Sequence, residues 1–345
     1  MSRKNKIAAF IMLLLGVGIF AWELRNTNIR HLVHQFNQIN WWWILVGMLM
    51  MFGSWLVETV IVQVFLKQEH EQLLFREAVR VPLVEQLFNA ITPFSTGGQP
   101  AQLFALMQSG IEGGRASSVL LMKFVVYQFM VLVNFILTIA VGFHYIADQL
   151  GPLKWFIIFG MVIHVTVIAG LLLVMYRYGF TKRLVAIAMV PVGWILGQKR
   201  RHEIGARAEE KIDTFYQESL HLKREKKKVI RASILTLVQL LMYYSVPYFV
   251  LLALHVQHVD FLRVLVMHVM IVMIVSLFPI PGGSGGAEYS FSQIFSTFMP
   301  HPAQLVLAML LWRLLTYYLG MICGVVAVGF QPHHGKQLKD KKQIS

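Results

Sequence analysis

Apolar residues run along this chain in long blocks, separated by short polar stretches that carry most of the Lys and Arg. A hydrocarbon core of about 30 Å takes about 20 helical residues at about 1.5 Å each, and several blocks reach that length. The pattern predicts crossing helices over 7–22, 41–66, 117–145, 153–176, 229–254 and 304–330. Trp41, Trp42 and Trp43 open the second of these as an interfacial aromatic belt. Two further blocks are broken. The one over 81–107 is interrupted from Thr92 to Pro100 by two prolines and two glycines, which end one helix and start another. The one over 261–300 is interrupted between Phe278 and Glu288. Each half of the first is too short to cross, so both blocks are expected to form re-entrant hairpins.

The polar stretches assign sides, because short cytoplasmic loops collect Lys and Arg. By that rule the N-terminus, the stretch after 66, the insertion 177–231 and the tail 331–345 face the cytoplasm, with Arg115 and Lys123 marking the same side. Residues 23–40, 146–152 and 255–260 face outside. The first hairpin then enters from the cytoplasm and the second from outside. The expected fold is an all-α polytopic membrane protein with about seven full transmembrane helices plus two re-entrant broken-helix hairpins of opposite orientation. Residues 1–330 form a single transmembrane domain, and 331–345 a basic tail.

Composition agrees with this reading. Hydrophobic residues make up 57% of the chain and charged residues 14%, against roughly 45–50% and about 25% in soluble domains. Mean hydropathy is +0.60. These values exclude an ordinary soluble enzyme. The formal net charge of +14 favours anionic lipid surfaces. The single cysteine, Cys323, excludes a disulfide framework or a CxxC pair. The N-terminus reads as an uncleaved signal anchor, since no A-x-A site precedes Glu23.

The broken blocks share the pattern P-x-x-[ST]-G-G, as Pro93-Phe94-Ser95-Thr96-Gly97-Gly98 and as Pro281-Gly282-Gly283-Ser284-Gly285-Gly286. Interrupted backbone at membrane depth is costly unless it lines protein or a water cavity, and paired broken helices mark inverted-repeat transporters. A plain helix kink is the alternative. Helices restarting at Gln99-Pro100 and Ala287-Glu288 would aim free N–H groups at an anion. Hydroxyls of Thr92, Ser95, Thr96 and Ser284 and the amides of Gln99 and Gln102 add donors, and Gly97, Gly98, Gly282, Gly283, Gly285 and Gly286 allow close approach. The set suits a lipid phosphodiester and needs no cofactor.

Charges inside the apolar blocks are the second clue, being costly in hydrocarbon. Glu58 lies mid-span, Glu85 precedes the first turn, Glu288 follows the second, and Arg313 sits in the last span. Glu288 and Arg313 are expected to pair, either to hold the hairpin or to meet a headgroup. Glu58 and Glu85 have no evident cationic partner, and Glu85 either faces a cationic headgroup or reaches interfacial water. His31/His34 and His255/His258 are spaced for metal but incomplete, so interfacial histidines are the simpler reading and no metal site is expected. The run Lys223, Arg224, Lys226, Lys227 and Lys228 is explained by the positive-inside bias, without tRNA or another nucleic acid. Gly320 and Gly324 form a GxxxG that packs helices within the chain or in a homo-oligomer.

At 89–102 and 279–288 the sequence resembles the transmembrane domain of lysylphosphatidylglycerol synthases, the multiple peptide resistance factors. The resemblance implies a lipid flippase of a bacterial-type cell membrane, moving lysylphosphatidylglycerol or a related phospholipid between leaflets. Such movement lowers negative surface charge and contributes to resistance to cationic antimicrobial peptides. It adds Asn89 to the substrate-binding residues and suggests a separate soluble synthase as a partner. Full-length family members continue into a soluble domain that uses lysyl-tRNA, whereas this chain is expected to hold no catalytic residues. The alternatives are a phosphatidylglycerol lysyltransferase, or its membrane subunit, and a non-transporting assembly factor.

Overall fold

The computed structural model describes residues 36–67, 73–146, 153–196, 212–222, 224–299 and 301–330, and every regular element among them is helical. Five helices among the described residues are long and apolar enough to cross a membrane: Trp41–Leu66, Gly113–Gly142, Ile158–Tyr176, Lys226–Ala253 and Pro302–Gly329. The fold is an all-α polytopic membrane architecture. The block predicted over 7–22, the His31/His34 pair and the basic tail lie outside the described residues.

Helix α1 (Trp41–Leu66) starts at Asn40, whose Oδ1 accepts the Trp42 amide at 3.1 Å. Helix α2 (Phe75–Ile91) stops at Thr92, held extended before Pro93. A 3₁₀ turn (Pro93–Ser95) follows, then α3 (Gly98–Gln108). Helix α4 (Gly113–Ile146) and α5 (Leu153–Tyr176) are long crossing elements. The insertion begins with α6 (Tyr178–Leu196), and the next described helix, α7 (212–222), packs on α4 through Ser219 Oγ, 2.9 Å from Ser118 Oγ.

The span expected over 229–254 is two helices in line, α8 (Lys226–Tyr244) and α9 (Val246–Ala253), parted at Ser245 ahead of Pro247. Helix α10 (Phe261–Val275) is capped by Asp260, whose Oδ1 accepts the Arg263 amide at 2.7 Å. A second 3₁₀ turn (Pro281–Gly283) leads into α11 (Gly286–Phe295). The last span is α12 (Pro302–Arg313), a π-helical segment (Leu314–Tyr318) and α13 (Leu319–Gly329).

Helices α8, α9 and α2 pack around α1, α13 lies along α2, and the two 3₁₀ turns touch each other. Behind the second hairpin, His268 is buried between Tyr244 and Trp312. Trp312 Nε1 donates to His268 Nε2 at 3.1 Å, so Nδ1 carries the proton and donates to the Tyr244 carbonyl at 3.1 Å. Both ring nitrogens are committed, and the neutral imidazole ties α10 to α8 and α12. Phe291 stacks on Trp312 with centroids 4.9 Å apart and fastens α11 to the same core. Gly320 and Gly324 are used within the chain. A Cβ on Gly324 would sit 2.6 Å from the Leu83 carbonyl of α2, so that face is taken up by α2 rather than by a second copy.

Candidate functional site

The first turn is closed by side chains of the helix before it. Thr92 Oγ1 donates to the Phe88 carbonyl at 2.6 Å and accepts the Gly97 amide at 2.8 Å, while Asn89 Oδ1 accepts the Gly98 amide at 3.1 Å. These amides are therefore internally satisfied rather than free for a ligand, which corrects the expectation for this turn. Phe94 and Ser95 both have φ of 53°, a strained left-handed conformation for non-glycine residues. Ser95 is exposed, and exposed Thr96 donates its hydroxyl to the Pro93 carbonyl at 2.9 Å. Gly97 and Gly98 have ordinary φ. A Cβ on Gly98 would collide with Asn89 and lie 2.8 Å from Glu85 Cγ, so the close approach they permit is to the hairpin's own arm.

The second turn reaches the same shape with different residues. Gly282, Gly283 and Gly285 have φ of 64°, 64° and 84°, a region in which only glycine is unstrained. Gly286 packs against the Phe278 ring, whereas the space beside Gly285 is open. Glu288 reaches back to the Gly285 amide with Oε2, filling the cap position that Thr92 and Asn89 fill in the first turn. Its other oxygen, Oε1, accepts from Arg313 Nε at 2.6 Å. Arg313 Nη1 also donates to the Gly282 carbonyl at 2.9 Å and Nη2 to Ser284 Oγ at 3.4 Å. Arg313 is thus bound to three parts of one turn, and the pair expected from chain order is present.

Tyr317 links the two turns and was not foreseen. It lies in the π segment, donates its hydroxyl to the Ala90 carbonyl of α2 at 3.0 Å, and carries the Arg313 guanidinium 4.8 Å above its ring. A Cβ on Gly282 would press into that ring. Nothing in the run Leu314-Leu315-Thr316-Tyr317-Tyr318 announces a π turn, although such turns recur at functional sites.

Below the first turn is a buried charged cluster. Lys123 of α4, read from sequence as a cytoplasmic marker, instead binds Glu58 of α1 and Glu85 of α2, the latter at 3.0 Å. Gln102 and Gln99 of α3 and Gln239 of α8 complete it. Glu85, Gln99 and Gln102 therefore belong to this cluster rather than to an open anion site. The signal missed was the isolation of Lys123 among apolar neighbours, Leu120 to Met122 and Phe124 to Val126, where a lone ionisable residue is unusual. At the outer boundary, His255 Nε2 lies 3.2 Å from the Gln38 carbonyl, and no group of three or more metal-binding side chains occurs among the described residues.

A polytopic helix bundle with two broken hairpins meeting tip to tip, each carrying a buried ion pair, is the class of protein defined here. The chain belongs to the lysylphosphatidylglycerol synthase TM region family, which matches residues 9–324. It is 24% identical over 340 residues to a UPF0104 membrane protein of Archaeoglobus fulgidus, covering 96% of this chain and 99% of that relative. Family and fold together make it a lipid-handling membrane protein.

Proposed function

We propose that this chain is a lipid translocase, carrying a phospholipid headgroup between leaflets along a path between the two turns. The observation that carries the reading is the contact of the Pro93–Ser95 turn with the Pro281–Gly283 turn. Two interrupted helices meeting inside a membrane bundle make the kind of midplane junction at which transporters bind substrate. In this reading the hairpins form an inverted repeat, entering from opposite sides within a set of about seven spans. The open space beside Gly285 leaves room for the lipid headgroup at the second turn. Lysylphosphatidylglycerol or a related phospholipid is the substrate class, after the family. Its outward movement would lower surface negative charge and blunt cationic peptides.

The family's own description, a synthase region, favours one second reading: a membrane subunit serving a separate soluble lysyltransferase. Purified protein in liposomes separates the two. Exchange of headgroup-labelled lysylphosphatidylglycerol between leaflets, absent from protein-free vesicles, is the expected result. Lysyl transfer from charged tRNA once a soluble partner is added, without any leaflet exchange, would favour the second reading and sink the first.

A further inference from the structure

Lys123 has three N–H bonds and uses all of them, on Glu58 Oε1, on Glu85 Oε2 at 3.0 Å and on Gln102 Oε1 at 3.1 Å. Gln102 Nε2 donates in turn to both carboxylates. The remaining oxygens are taken by Gln239 Nε2, 3.1 Å from Glu58 Oε2, and by Gln99 Nε2, 3.3 Å from Glu85 Oε1. All four carboxylate oxygens accept hydrogen bonds, yet the charges do not cancel, because two carboxylates share one ammonium.

No other cation among the described residues closes the gap. The other titratable side chains near it, Tyr127 of α4 and Tyr243 and Tyr244 of α8, are phenols and bring no positive charge. Arg80 of α2 turns away to Gln108 Oε1 at 2.6 Å and the Ala327 carbonyl at 3.2 Å. Arg115 of α4 donates to the Leu66 carbonyl at 2.7 Å, and Arg313 is held by Glu288. An uncompensated charge is strongly disfavoured in a buried membrane site, so the cluster has a place for one more positive charge. A proton fits that place. The ammonium already occupies the centre where a metal ion would coordinate, and no cluster of three or more metal-binding side chains is present among the described residues.

We propose that the Glu58–Lys123–Glu85 cluster is a proton site that couples lipid movement to a proton gradient, with Glu85 taking up and releasing the proton. The proposal rests on the translocase reading above. Glu85 is the most accessible member, its side chain 13% exposed against 4% for Glu58 and 6% for Lys123. It is also the member joined to the first turn, through Gln99 and through Gly98, which sits against its stem. A proton arriving from water on Oε1 changes that atom from acceptor to donor. Gln99 must then present its carbonyl instead of its amide, or leave, so the start of α3 registers the charge state. Return of the proton to water on the other side restores the bond, and no other covalent bond changes.

The test uses liposomes of phosphatidylglycerol and lysylphosphatidylglycerol holding the purified protein, a pH dye inside and the membrane potential clamped. A gradient of about one pH unit should shift the lysyl-lipid leaflet ratio about tenfold for one proton per lipid. Glu85→Gln should erase that shift, giving the same ratio with and without the gradient. Wild-type lipid movement with no proton flux and no gradient effect overturns the proposal while the translocase reading stands, and so does a shift driven by a sodium gradient at constant pH. Absence of any lipid movement in the wild type counts against the translocase reading instead. A second measurement, infrared absorption of the purified protein, then decides the proton site alone. A protonated-carboxyl band at neutral pH that titrates away in alkali and is missing in Glu85→Gln supports it. Absence of that band from the wild type overturns it, even where the variant fails to fold.

Discussion

Gly98 and Gly286 hold equivalent places in the two copies of the motif, but different neighbours decide what each tolerates. Gly98 abuts Asn89 and Glu85, and Gly286 abuts the Phe278 ring. We predict that Gly98→Leu and Gly286→Leu each abolish lipid movement and lower the thermal midpoint while the protein still inserts. Normal exchange in both variants would reduce the motif to a kink. Gly285→Ala is expected to be milder, costing about 1–3 kcal/mol for its sparsely populated backbone conformation and no clash. The ion pair behaves differently. Glu288→Gln or Arg313→Gln leaves a buried partner unpaired and should cost about 3–5 kcal/mol, whereas the double variant should recover much of that loss. Recovered stability without recovered transport would give Glu288 a second role at the headgroup, and additive losses on thermal denaturation would show the two residues uncoupled. The weight of single residues was only partly legible in the sequence. Glu58 and Glu85 stood out as buried charges, but their partner lies 65 and 38 positions away, a distance no local pattern spans.

The limits of the unbroken helices followed closely from apolar length, because a crossing helix must stay apolar across the whole hydrocarbon thickness. The helices Trp41–Leu66 and Leu153–Tyr176 have the predicted bounds, and both turns fall where Pro and Gly punctuate the blocks. The interior of the last span was not legible. Its π segment changes which face Tyr317 presents without any Pro or Gly to mark it. Tyr317→Phe removes the bond to the Ala90 carbonyl while keeping the ring against Gly282. We predict a stability loss of about 1 kcal/mol and slower lipid exchange, since the two hairpins lose a direct link. An unchanged exchange rate at lowered stability would make Tyr317 purely architectural.

For the whole molecule, we predict from the loop charges that 199–228 and the C-terminus face the cytoplasm and that 146–152 and 255–260 face outside. In a variant lacking Cys323, single cysteines at Gln149 and Lys226 should divide an impermeant thiol reagent on intact cells, reacting at 149 and not at 226. Labelling at 226 and not at 149 would reverse the topology, and labelling at both or at neither would remove the parity on which the opposed entry of the hairpins rests. In the proposed translocase a lipid headgroup passes between the two turns. A phospholipid with a photoreactive headgroup, irradiated in liposomes with the purified protein and mapped by mass spectrometry, tests it most directly. Adducts concentrated at 93–102 and 280–289, and displaced by excess lysylphosphatidylglycerol, are the predicted result. Adducts confined to the outer faces of the crossing helices, with none at either turn, would contradict it.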